Sequence, residues 1–235
     1  MTLLSIAALT ERFPDFRVAL VRASGLSIRP ERSVALESLI EETQAQCRMR
    51  WSATELSAIP GVAAWRVAYR GFGVKKTSYR SSVERLIKRV LAGGELPAVN
   101  SLVDLYNCVS LAYALCLGAD DLDKLAGDLA FRFSQPGDSF VDMSAEAGED
   151  PNDPPKEGEV VYADSRQVLC RRWNWRQDAR TLATTESTNV VLTVQSNGQG
   201  DVEAAADLLV RGIDSECGGR CSIVVADRDR PVVTF

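Results

Sequence analysis

The sequence predicts an α+β fold in a single domain over residues 1–235, and three observations carry it. Helical periodicity dominates the first half of the chain. Short extended runs punctuated by turn residues dominate after Gly118. The composition, 46% hydrophobic and 25% charged, is that of a globular chain with no internal repeat.

Phe13 to Ile28 reads as a strand, a turn near Gly25 and a short extended piece. Pro30 precedes a helical pattern over Val34 to Met49. Pro60-Gly61 is a break, and Val62 to Tyr69 fits one or two helical turns. Ser81 and Ser82 are cap candidates for a helix through Leu91, in which Val83, Leu86, Ile87 and Val90 keep i, i+3, i+4, i+7 spacing. Gly93-Gly94 ends it. A further helix runs from Asn100 to Leu117. Leu129 to Phe133 is a short strand. Residues 143–158 carry three prolines and many acids, and read as a mobile acidic loop. Glu159 to Ala163 and Val168 to Arg176 read as a hairpin closed at Asp164 to Gln167. Val190 to Gln195 is a strand, Val202 to Arg211 a helix, and Cys221 to Ala226 and Val232 to Phe235 are the final strands.

The chain has no histidine. That excludes Ser-His-Asp and Cys-His nucleophile systems, histidine zinc sites and a histidine general base. Cys217 and Cys221 have a loose C-x3-C spacing with no second pair, so they read as incidental thiols and no metal or cofactor is implied. No apolar run reaches the roughly 18–20 residues of a membrane span. Met1 to Thr10 has no Lys or Arg before it and makes a poor signal peptide. The expectation is a cytoplasmic protein with reduced cysteines.

Net charge is −5, but the charges come in runs. Lys75, Lys76, Arg80, Arg85 and Lys88 belong to a basic run from Arg66 to Arg89, opposed by Glu84 alone. Arg166, Arg171, Arg172, Arg176 and Arg180 form a second basic run. Between them, Asp138 to Glu159 is acidic. A basic run is either a solvated face or a local phosphate surface, since fields act within about 10 Å at physiological salt.

The helix from Asn100 carries Asn100, Asp104 and Asn107 on one side. No Lys, Arg or Glu occurs from Leu96 to Ala119, so the helix is buried nearly all round. Buried Asp and Asn must be hydrogen-bonded. The three therefore knit the core to a neighbouring backbone or line a pocket. In the segment Arg171 to Arg180, two tryptophans are interleaved with arginines. Trp173 and Trp175 either stack on a base or fill the core.

The stretch Leu96 to Leu111, then Leu117-Gly-Ala-Asp-Asp-Leu-Asp-Lys-Leu125, resembles the editing domain of the phenylalanyl-tRNA synthetase beta subunit. Its freestanding relatives are more similar still, at Lys75 to Ser82, Gly158 to Asp164 and Cys170 to Gln177. The resemblance covers roughly residues 65–195. It implies an α/β sandwich and an aminoacyl-tRNA deacylase acting in trans, whose partner is a mischarged tRNA rather than DNA or a membrane. It puts the cleft between the Asn100–Asn107 helix and the strands holding Asp164 and Asn174. Asn100, Asp104, Asn107, Asp164 and Asn174 are the catalytic candidates. Lys75, Lys76, Arg80, Arg85, Lys88, Arg172, Trp173 and Arg176 are the tRNA-binding candidates. Canavanyl-tRNA for arginine is the first substrate expectation, with Asp104 or Asp164 facing the cation; tyrosyl-tRNA for phenylalanine is the second. The alternatives are a non-catalytic tRNA-binding or regulatory module and a small-molecule hydrolase or binding protein. An aminoacyl ester is already activated, so oriented water and a stabilised oxyanion suffice without imidazole.

Overall fold

A computed structural model describes residues 2–75, 78–146 and 148–235. Among these residues, two sheets and five α-helices share a contiguous hydrophobic core that runs from Leu4 to Val233. The α+β class expected from the sequence is the observed one.

The first sheet has the order β10-β1-β4-β5-β6-β7: Val232–Thr234, Leu3–Ser5, Leu129–Phe133, Val160–Ala163, Val168–Arg171 and Arg176–Gln177. Its β1–β4 pair is parallel, and its other pairs are antiparallel. The second sheet is antiparallel with the order β3-β8-β2-β9: Cys116–Asp121, Asn189–Asn197, Phe16–Ser24 and Arg220–Ala226. Strands β2 and β8 are buried along most of their length and read as near-continuous apolar runs.

Capping chemistry starts four of the helices. In α1 (Val34–Trp51), Ser33 accepts from Leu36 N–H. Ser81 does the same for α3 (Ser82–Leu91), Asn100 for α4 (Ser101–Tyr113) and Asp201 for α5 (Val202–Glu216). The fifth, α2 (Pro60–Gly71), begins on a proline. It is three turns long, more than Val62 to Tyr69 suggested. At Gly61 a Cβ would sit 2.3 Å from the Ala114 carbonyl, so only glycine lets α2 approach the end of α4.

The sheets meet through aromatic rings. Phe16 on β2 packs edge-on against Phe131 on β4, Trp65 on α2 and Trp173, with centroids 5.1, 6.4 and 4.8 Å away. This cluster sets the spacing of the two sheets.

The strand expected over Val168 to Arg176 ends at Arg171. Arg172 and Trp173 take left-handed backbone angles, φ 45° and 68°, and the chain reverses into β7. Two consecutive non-glycine residues in that region are costly. The turn persists because Trp173 is fully buried in the aromatic cluster. The Arg172 guanidinium also sits 3.8 Å from the Tyr79 ring centroid and 4.3 Å from that of Trp175. The acidic segment 143–158 is tied down at Asp153, whose backbone and carboxylate meet Arg171. Among the described residues no helix is long and apolar enough to cross a membrane.

Candidate functional site

A cleft of about 480 Å³ opens between α3 and α4 on one side and strands of both sheets on the other. Its floor follows from register. On β3, Gly118 and Asp120 share a face, and Gly118 lies opposite Thr193 of β8, two residues before Gln195. The other sheet supplies Tyr162 and its cross-strand partner Cys170. The β6–β7 turn adds Asn174 and Trp175, α4 adds Tyr106 and Asn107, and α3 adds Ser82 and Arg85.

A hydrogen-bond chain stiffens this floor. The buried Tyr69 hydroxyl donates to Asn174 Oδ1 at 2.9 Å. Asn174 Nδ2 donates to Gln195 Oε1 at 3.2 Å, and Gln195 Nε2 to Thr193 Oγ1 at 2.9 Å. Ser82 N–H donates to the Asn174 carbonyl at 3.0 Å, locking the turn to the start of α3. Two hydroxyls of the cleft, Ser82 Oγ and Tyr162 Oη, are shielded from solvent and have no partner among the described residues. An unpaired buried hydroxyl costs about 1–3 kcal/mol, and rotation toward a ligand in the cleft would relieve it.

Among the described lining residues Asp120 is the one carboxylate, and nothing singles it out in sequence beyond its place in the stretch Leu117 to Leu125. Its Oδ1 accepts from the Thr181 hydroxyl at 2.6 Å and Gln177 Nε2 at 2.9 Å. Burial raises its pKa to about 7, against the pull of those two donors. The Tyr162 hydroxyl is pushed well above its ordinary range by burial and by the negative potential of Asp120 and Asp164, so it stays protonated.

Of the five residues expected to be catalytic, Asn107 and Asn174 line the cleft. The other three do structural work away from it. Asn100 caps α4, its Oδ1 accepting from Val103 N–H at 2.9 Å. Asp104 is buried against Arg32, with Nε to Oδ2 2.6 Å, and accepts from Val99 N–H at 2.9 Å. Asp164 closes the β5–β6 turn, accepting from the backbone of Ala126, Arg166 and Gln167. The choice between core knit and pocket therefore resolves residue by residue along the α4 stripe.

The phosphate-binding expectations divide in the same way. Arg85 is exposed at the cleft and donates to the Trp175 carbonyl at 2.9 Å. Lys75 and Lys88 are exposed. Lys76 lies outside the described residues. Arg80 is drawn to the buried Glu84, which Arg66 also holds. The second basic run is a correction: four of its arginines pair with acids. Arg171, fully buried, meets Glu159 and Asp153; Arg172 shares Glu159; Arg176 meets Asp142; Arg180 meets Asp178. Three acids of the acidic run, Asp142, Asp153 and Glu159, thus take up arginines of the second basic run. Arg172 is buried, and desolvation lowers its pKa. Arg176 remains on the cleft wall. Trp173 exposes no surface, and the tryptophan facing the cleft is Trp175, with Arg176 4.5 Å from its ring centroid.

The B3/4 domain model matches residues 64–217. The chain belongs to the B3/4 domain family. That is the editing-type domain of the phenylalanyl-tRNA synthetase beta subunit, and the match spans every wall of the cleft. Among solved structures, an N-terminal fragment of the phenylalanyl-tRNA synthetase beta-subunit from Pyrococcus horikoshii is similar. The TM-score is 0.45 and the identity 12%, covering 94% of this chain and 54% of that one. This B3/4 chain thus spans about half of that fragment. No curated protein matches the chain.

Proposed function

We propose that this B3/4 domain is a trans-editing aminoacyl-tRNA deacylase of the cytoplasm, hydrolysing the ester that joins a wrong amino acid to the 3′ end of tRNA. The observation that carries this is one ligand-sized cleft in which amides, a carboxylate and unpartnered hydroxyls meet beside exposed Arg85. Family membership supports the same substrate class.

In this proposal the 3′ end enters past Arg85, whose charge meets phosphate. Ser82 and Tyr162 hydroxyls, which lie just beneath the cleft surface, rotate toward the ester carbonyl oxygen and donate to the oxyanion that grows on it. Water adds to the carbonyl carbon, and the bond to the ribose oxygen then breaks. One water proton ends on that oxygen, regenerating the ribose hydroxyl, and the amino acid leaves with the new carboxyl oxygen. The Asn174–Gln195 chain holds the floor rigid, which matters because small misplacements are costly. Canavanyl-tRNA remains the first candidate and tyrosyl-tRNA the second.

The test is a panel of mischarged tRNAs, with ester loss followed against buffer. Clearance of at least one species well above buffer hydrolysis is expected; clearance of none overturns the enzyme. Salt-dependent tRNA binding without turnover would instead support a non-catalytic module, and no salt-dependent binding a small-molecule hydrolase.

A further inference from the structure

Asp120 is a buried carboxylate that forms no ion pair among the described residues, whereas Asp104, Asp142, Asp178, Glu84 and Glu159 all have arginine partners. Its Oδ1 is occupied by Thr181 and Gln177, and Oδ2 accepts nothing from the described residues. Other acids worsen its position, because Asp178 and Asp164 add negative potential to it. Tyr106 on α4, Tyr162 on β5 and Cys170 on β6, which feel its charge, carry no positive charge, and of the arginines lining the same cleft, Arg85, Arg89 and Arg176, none forms an ion pair with it; Arg176 pairs with Asp142. A carboxylate without a counter-ion on the wall of an open cleft is neutralised either by a proton, as the raised pKa of Asp120 allows, or by a cationic ligand that displaces it.

The cleft also places a donor near this acceptor. The Tyr162 hydroxyl is buried and unpartnered, and it feels the charge of Asp120. An aminoacyl ester has the complementary pair three bonds apart, an ammonium on the α-carbon and the adjacent carbonyl oxygen. Taking the deacylase reading as the premise, we propose that Asp120 anchors the free α-ammonium group of the substrate, so that the cleft accepts aminoacyl-tRNA and refuses tRNA whose amino group is acylated.

A charge-assisted hydrogen bond of this kind contributes about 1.5–3 kcal/mol, which corresponds to roughly 10- to 150-fold in affinity. The experiment is a two-by-two comparison on the full chain. Wild type and Asp120→Asn are each given the best-cleared aminoacyl-tRNA and its N-acetylated form, and kcat/KM is measured. Either change alone should cost about 10- to 150-fold, and the two together should cost little more than one. Equal losses from Asp120→Asn on both substrates would overturn the proposal and place Asp120 on the attacking water. A loss that follows a cationic side chain and ignores N-acetylation would overturn it in favour of side-chain recognition. No loss from Asp120→Asn would overturn it outright.

A binding arm separates this proposal from the deacylase reading. A 3′-amide analogue of aminoacyl-adenosine, which cannot be hydrolysed as an ester, is titrated with and without its N-acetyl group. Selective binding of the free amine by wild type, lost in Asp120→Asn, upholds the anchor even if no tRNA is cleared. Equal affinity for both analogues refutes it. A melting curve for Asp120→Asn establishes that the variant is folded in every arm.

Discussion

Arg32 and Asp104 form an ion pair, 2.6 Å from Nε to Oδ2 and buried on its Asp104 side, that joins the residue before the α1 cap to the first turn of α4. The same guanidinium donates to the carbonyl of Pro97 at 2.8 Å, so one side chain fixes the whole approach to α4. Removing one partner of a buried pair strands the other charge and costs about 3–5 kcal/mol. Asp104→Ala is therefore expected to lower the unfolding free energy by about that much in urea titration. Any loss of turnover should track the unfolded fraction. A folded Asp104→Ala protein that fails only in catalysis would return Asp104 to the active site.

The two tryptophans of the β6–β7 turn should separate cleanly. Trp173 touches Phe13, Phe16, Trp65 and Phe72, and its truncation to alanine should cost about 3–5 kcal/mol. Trp175 is half-buried on the cleft wall, so Trp175→Ala should cost less in stability and raise KM for tRNA. Thermal melts and steady-state kinetics on the pair check this, and a reversed ranking would contradict the placement of the turn.

Asp120 makes stability depend on pH in a definite direction. Its folded pKa, about 7, lies above the ordinary carboxylate value. The protonated form is favoured by folding, so this contribution is fully present below about pH 4 and is lost as pH rises to about 7. Asp120→Asn keeps an acceptor for Thr181 and Gln177 while removing the charge. Relative to wild type, it should gain stability from pH 4 to pH 8, by up to about 4 kcal/mol. Denaturation at several pH values reads this directly, and a constant difference would mean the carboxylate is not raised.

Charge reversal at Arg85 should weaken tRNA binding and reduce its salt dependence, with single-turnover hydrolysis at saturation little changed. Reversal at Arg171 should instead unfold the protein, because its guanidinium is fully buried on Glu159. Filter binding across a salt series, paired with melting curves, distinguishes surface charge from internal charge.

Local signals were legible where local physics decides. The Ser81 cap, the β4 strand and the β5–β6 hairpin lie where the sequence places them. Burial of the α4 stripe was legible too, but not which polar residues face the cleft, since that depends on elements far away in the chain. Strand alternation through Trp173 failed because tertiary packing stabilises two left-handed residues that propensity disfavours. Asp120 carries no spacing signature. It becomes visible only when β3, Gln177 and Thr181 are brought together. The charge runs looked like separate surfaces, because sequence does not say that acid and base fold onto each other.

The reversal at Arg172 and Trp173 leaves one short loop with two masters. The ring behind it belongs to the hydrophobic interior, while the amide in front of it belongs to the substrate chamber. Retuning that chamber by altering Asn174 or Trp175 therefore means retaining the anchor behind them. Changes to selectivity in this scaffold should come more readily from α3 and the Pro97–Val99 rim, where side chains can be exchanged without disturbing the foundations.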